Sequence, residues 1–151
     1  MTAGSKSLFA SLTAPKLPDS LFAVTDIDAE LSKVREAESD FIAADFSRLI
    51  CDSNDFSSLY FKNCLFKGNR FTACDFSKCT FIDCVFNGCD ISNCNFTESY
   101  FRACSFTSCK AVGAAFKDSY HKNVSFDGGS FELSDFQRSK LQSVLITDTD
   151  F

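Results

Sequence analysis

The hydrophobic positions of this chain recur every fifth residue from Phe41 to Phe151, an interval that belongs neither to an amphipathic helix nor to a half-buried strand. Of the 19 phenylalanines, all but Phe9 and Phe22 stand in this one register. The remaining slots hold Cys51, Ile91, Ala111, His121, Leu141 and Ile146. A fixed period of this kind is the mark of a repeat solenoid. A second column lies two residues ahead of the first: Cys64, Cys74, Cys79, Cys84, Cys89, Cys94, Cys104 and Cys109, with Ala44, Ala114, Val124, Val144, several serines and Gly129 at equivalent places. Residues two apart on an extended segment point the same way, so the large and small columns share one buried face. The other positions of each unit are mostly polar, as in Asp45, Ser47 and Arg48. A chain that points two residues inward and then turns, every five residues, closes on itself as a narrow tube.

The first forty residues follow another pattern. Ile27, Leu31 and Val34, with Asp28, Glu30, Lys33, Arg35 and Glu36 between them, have helical spacing. They predict an amphipathic helix from about Asp26 to Glu38, with Thr25 and Asp28 forming a capping-box-like start. A solenoid leaves its terminal coil open and needs a cap. The chain therefore divides into an N-terminal extension with a capping helix, 1–40, and a solenoid, 41–151; a helix for a membrane or a partner is the alternative. Residues 1–20, with Pro15 and Pro18, are expected to be partly disordered or to pair at the edge.

The units Ala44-Asp45-Phe46-Ser47-Arg48, Cys74-Asp75-Phe76-Ser77-Lys78, Cys94-Asn95-Phe96-Thr97-Glu98 and Ser134-Asp135-Phe136-Gln137-Arg138 resemble the pentapeptide-repeat proteins. That resemblance covers roughly residues 39–151. It implies an all-β solenoid, a right-handed quadrilateral β-helix with four units to each coil. Coils stacked at the usual strand spacing of about 4.8 Å would give a rod roughly 27 Å tall. The structural core would then be built on Phe46, Phe66, Phe76, Phe86, Phe96 and Phe106, with Cys64, Cys74, Cys84, Cys94 and Cys104 beside them.

Composition narrows the chemistry. The chain has 151 residues, is 45% hydrophobic and carries a net charge of −5, enough to bury one core. No run of 18 or more apolar residues is present to span a membrane. The first 25 residues lack a signal peptide's continuous apolar run, so a cytoplasmic location is expected. The nine cysteines are too regularly placed for a secreted disulfide framework. Residues stacked twenty apart would hold their Cβ atoms at about the strand spacing, outside disulfide range. Reduced thiols acting as small hydrophobes are expected, with no metal and no cofactor, since zinc ligands converge on one point and these face inward from different sides. His121 is the one histidine. It cannot supply a catalytic trio, and it reads as a polar substitution that bends or hydrates one coil. No phosphate loop, HExxH or GxSxG motif is present, so no catalytic residues are assigned and an enzyme is not expected.

Function then falls to the outer faces. With twenty residues per coil, Tyr60, Tyr100 and Tyr120 form one outward column that Lys140 continues, with Lys62, Arg102 and Lys122 in another. Tyrosine and arginine are favoured at interfaces. A different face carries Asp55, Asp75, Glu98, Asp118 and Asp135 against Lys78, Lys117 and Arg138. The segment from Asn95 to Phe106 and the helical leader resemble the Qnr-type quinolone-resistance members of the family. Those proteins imitate a rod of duplex DNA and bind bacterial type II topoisomerases. The resemblance implies a protein partner, DNA gyrase or topoisomerase IV, engaged by the acidic face through electrostatic competition. The alternative is a scaffold for an unrelated partner, using the tyrosine and basic strip. Residues 41–151 hold 13 acids against 11 bases, and an overall negative charge opposes direct nucleic-acid binding. Because Phe151 completes an inward slot, pairing of two copies through the C-terminal coil is a further expectation.

Overall fold

A computed structural model describes residues 12–151 of the chain. The units wind into a parallel β-solenoid of about six turns. Every strand pair is parallel, and from Phe41 onward the partners lie twenty residues apart, as in Tyr60↔Thr80, Thr80↔Tyr100 and Tyr100↔Tyr120. Four five-residue units therefore make one coil. The centres fall on four faces: a first with Phe41, Phe61, Phe81, Phe101 and His121, a second with Phe46, Phe66, Phe86, Phe106 and Phe126, a third with Cys51, Phe71, Ile91, Ala111 and Phe131, and a fourth with Phe56, Phe76, Phe96, Phe116 and Phe136.

The core is a set of aromatic stacks. Phe56, Phe76, Phe96, Phe116 and Phe136 lie ring over ring, with successive centroids 4.5, 4.9, 4.9 and 4.7 Å apart. Rings of adjacent faces meet edge to face, as Phe71 meets Phe76 at 5.3 Å and 85°. Offset stacks and T-shaped contacts are the two favoured aromatic geometries, and the tube uses one along its axis and the other around it.

The corners explain how polar side chains can turn the chain so often. The residue two after each centre, from Ala43 to Asp148, sits in the left-handed region with φ between 48° and 71°. Glycine occupies only four of these corners, at 68, 88, 113 and 128. Arg48, Lys78 and Leu133 accept a backbone that costs an ordinary L-residue roughly 1 kcal/mol. Corner amides are satisfied by the next coil: Arg48 N–H donates to Lys67 C=O at 2.8 Å and Lys78 N–H to Thr97 C=O at 2.9 Å.

Helix α1, Ile27–Glu36, closes the first coil. Its start differs from the expected one: the N-cap is Asp26, whose carboxylate accepts from Ala29 N–H at 3.1 Å, and Thr25 lies outside the cap. Asp28 and Glu30 in the first turn and Lys33 and Arg35 in the last suit the helix dipole. The helix ends two residues before the expected Glu38, where the chain turns left-handed at φ 49°. Leu31 and Val34 are buried against the core that holds Phe41. Arg35 fastens the cap, donating to the carbonyls of Asp55 and Ser57 at 3.0 and 3.2 Å.

Before the helix, strand β1, Phe22–Ala23, pairs in parallel with Ala44–Asp45 and so extends the second face by one strand. Part of the expectation for residues 1–20 thus resolves into an ordered run along the rod from Leu12, while residues 1–11 lie outside the described residues.

Candidate interaction faces

The small inward column does more than fill space. The thiol of Cys79 donates to the carbonyl of Phe56 at 2.9 Å, and the hydroxyl of Ser99 to that of Phe76 at 2.7 Å. The same step of 23 residues recurs in Cys89 to Phe66, Cys94 to Phe71 and Cys109 to Phe86. The expected inert thiols are therefore weak hydrogen-bond donors as well as small apolar groups. All nine cysteines are buried and free. Burial pushes the thiols of Cys51 and Cys79 up to about 12, which keeps them protonated and poorly nucleophilic.

His121 departs from the expected bend, since its coil keeps the register of its neighbours. It is fully buried, pairs in register with Phe101 and Leu141, and stacks on Phe101 at 4.7 Å and 7°. Ser119 spends its one hydroxyl proton on the Phe116 carbonyl at 2.6 Å, so at 2.9 Å it accepts from His121 Nε2–H. Nδ1 is left as a buried acceptor with no partner, and burial pushes the ring's pKa down to about 3. A neutral ring locked in an aromatic stack is not placed to move protons for a reaction.

Two outer faces carry the candidate binding residues. On the first, Tyr60, Thr80, Tyr100, Tyr120 and Lys140 are successive register partners, and Lys62, Ile82, Arg102, Lys122 and Gln142 form the parallel column. Tyr100 and Tyr120 meet edge to face at 5.3 Å, Lys140 Nζ lies 4.9 Å from the Tyr120 ring centre, and the Tyr120 hydroxyl donates to Gln142. Among the described residues, Lys62, Arg102, Lys122 and Lys140 take part in no salt bridge, whereas Lys33, Arg35, Lys117 and Arg138 do.

The fourth face gathers the five acids as their spacing requires, but most are engaged. Asp55, Asp75 and Asp135 each accept the amide of the residue two ahead, at 2.8 to 2.9 Å, as does Asn95 at 3.0 Å. These are Asx turns, and they give the acidic position of the unit a structural task. Asp118 is held by a two-point contact with Arg138 at 2.7 and 3.0 Å, Asp135 lies 3.3 Å from Lys117, and Asp55 lies 3.6 Å from Arg35 of the cap. Hydrogen bonds from Ser57 hold the Asp55 carboxyl below its usual range; Arg138 does the same for Asp118, and the Gln137 amide for Asp135. Asp75 and Glu98 are the two acids of the set in no such pair among the described residues.

The sequence reading missed Asn63 and Asp83, corner residues between the first and second faces that grip the N-terminal segment at Lys16. Their signal was faint. An Asn or Asp in a left-handed corner is unremarkable, and only the extended character imposed by Pro15 and Pro18 pointed to a docked segment. Among the described residues no group of three or more His, Cys, Asp or Glu side chains is arranged to hold a metal ion. No helix among them is long and apolar enough to cross a membrane.

Comparison with known proteins agrees with the architecture. Residues 79–151 match the family model described as a pentapeptide repeat region. No curated protein matches the chain. Among solved structures, the pentapeptide repeat protein Rfr23 from the cyanobacterium Cyanothece 51142 superposes with a TM-score of 0.75 at 8% identity, covering 83% of this chain and 99% of that one. A trypsin-treated variant of QnrB1, a plasmid-mediated fluoroquinolone resistance protein, superposes with a TM-score of 0.60 at 21% identity over 70% of this chain. The match spans 54% of that chain, about half its length. At these identities the likeness is one of fold. With its five-residue register and its four stacked columns, the chain has the fold of the pentapeptide-repeat proteins, and its residues 79–151 match that family's repeat region.

Proposed function

We propose that this chain is a non-enzymatic binding rod that presents the tyrosine and cation strip of its first face to an acidic protein surface in the cytosol. One observation carries the reading: Tyr60, Tyr100 and Tyr120 stand in register on a rigid parallel sheet beside Lys62, Arg102, Lys122 and Lys140, cations in none of the salt bridges of the described residues. Aromatic rings that lose little side-chain freedom, set next to uncompensated positive charge, suit recognition of an acidic partner.

A second reading is supported by the fold likeness to QnrB1. In it the fourth face imitates DNA and the partner is DNA gyrase or topoisomerase IV, with Asp55, Asp75, Glu98, Asp118 and Asp135 as the contact. The ion pairs on that face weigh against it, because a carboxylate already matched by Arg138 or Lys117 projects little field toward a basic groove.

One pair of variants separates the two. Replacing Tyr60, Tyr100 and Tyr120 with serine should abolish capture of an acidic partner from a lysate, identified by mass spectrometry, and leave gyrase supercoiling untouched. Changing Asp75 and Glu98 to lysine should leave both the capture and the supercoiling unchanged. Loss of gyrase inhibition or of quinolone protection in the lysine variant, with the tyrosine variant still active, would favour the DNA-mimic reading.

A further inference from the structure

We propose that the corner between the first and second faces is a groove for an extended peptide, occupied in cis by residues 12–21. The partner it fits is an extended, proline-containing segment with a bulky apolar side chain at the place of Ala14. The grip is on backbone. Lys16 N–H donates to Asp83 Oδ1 at 3.2 Å, and Lys16 C=O accepts from Asn63 Nδ2 at 2.6 Å. Asn63 and Asp83 are corner residues of successive coils, one register step apart. The docked segment therefore runs along the rod, crossing coils, and meets a donor and an acceptor fixed by left-handed corners at φ 55° and 52°.

The occupant is preshaped for this. Pro15 and Pro18 fix their own φ and push Ala14 and Leu17 toward extended backbone. A segment stiffened in this way loses less freedom on docking than a flexible one. Burial follows its path: Ile82 and Ala103, outward positions at this corner, are 8% and 6% exposed, whereas Ile42 in the first coil of the Ile82 column is 51% exposed.

The cis occupant is also a poor fit at one place. Between Leu12 and Pro15 on the segment and Cys104, Asn123 and Ser125 on the rod lies a cavity of about 280 Å³. Ala14 lines it, and among the described residues no side chain fills it. A peptide with leucine there would bury apolar surface that the resident segment leaves unburied, at the usual gain of about 0.8 kcal/mol per buried methylene. The segment is in this sense a placeholder, held by its tether more than by complementarity.

The test uses the full chain with a labelled peptide of residues 12–21, made with Ala14 and with Ala14→Leu. Binding is read by fluorescence polarisation on the intact chain and on a chain whose own segment is weakened by Leu12→Ser and Leu17→Ser. A tether supplies an effective concentration in the millimolar range, so the weakened chain is the decisive arm. It should bind the leucine peptide saturably, with Kd below about 1 mM and about tenfold tighter than the alanine peptide. On the intact chain the leucine peptide should speed tryptic cleavage of the Lys16–Leu17 bond by displacing the segment. Asn63→Gly with Asp83→Gly, which keeps the left-handed corners comfortable, should weaken binding at least about tenfold. The proposal is overturned by no saturable binding to the weakened chain, or by equal binding of the two peptides, a comparison that needs no groove variant to fold. Unchanged binding in a glycine variant that melts with its parent overturns it too.

Discussion

At the scale of single residues the core is regular enough for its exceptions to be diagnostic. His121 interrupts the Phe101 column with a ring of nearly the right shape and one unpaired acceptor. His121→Phe should therefore raise stability by about 1 to 3 kcal/mol in urea unfolding, because the orphaned Nδ1 disappears and Ser119 keeps its bond to Phe116. The pH profile gives an independent reading. With its pKa pushed down to about 3 in the fold and near 6.5 when unfolded, the ring binds its proton preferentially in the unfolded chain. Stability should then fall as pH drops from about 6.5 toward 3, with a slope approaching 1.4 kcal/mol per pH unit, roughly. Asp55, Asp118 and Asp135 have lowered values, so what they contribute is present above about pH 4 and lost below it. The window between about pH 4 and 6.5 belongs to His121, and the phenylalanine variant should be flat across it. Gly129 is the opposite kind of exception. A Cβ there would lie 2.1 Å from the Cys109 carbonyl oxygen at a φ of 97°, so Gly129→Ala should cost more than about 3 kcal/mol in the same experiment. Phe96→Ala, between two stacked rings, should cost about 3 to 5 kcal/mol.

At the scale of the five-residue unit, the Asx turn on the fourth face changes what a cysteine is for. Ser77 turns its amide onto Asp75, and Cys79 supplies the donor that the Phe56 carbonyl receives. Cys79→Ala should lose about 1 kcal/mol in thermal or urea unfolding, and Cys79→Ser should recover it, as Ser99 already does one coil further. The tube, its register and the inward columns were legible in the sequence because burial imposes a period that residue types must obey. Asp26 as the helix cap, the corner conformation of Lys78 or Leu133 and the pairing of Asp118 with Arg138 were not. Each depends on a neighbour twenty residues away or on a backbone state that no side chain announces. The acidic positions show the difference most plainly. Their spacing disclosed a shared face, and their hydrogen bonds showed that three of the five close turns.

At the scale of the molecule, a rod whose thiols are all buried should be chemically quiet until it unfolds as a unit. Thiol labelling with a maleimide should be slow in the native chain and complete in denaturant. Rapid labelling of Cys64 or Cys84 without loss of the fold would contradict the packing described here. The twenty-residue register has a further consequence for how such a chain can change. Losing one residue would throw every later side chain out of phase, and losing twenty would shorten the rod by a storey. Losing five would leave the later columns inside the tube and rotate everything above the cut by a quarter turn. Excising one unit between Tyr60 and Tyr100 would thus keep a folded solenoid and carry Tyr100 and Tyr120 around to a neighbouring side, parting them from Tyr60. In this architecture a short deletion works like a combination lock turned by one notch: the mechanism still closes, and the message on its outside is different.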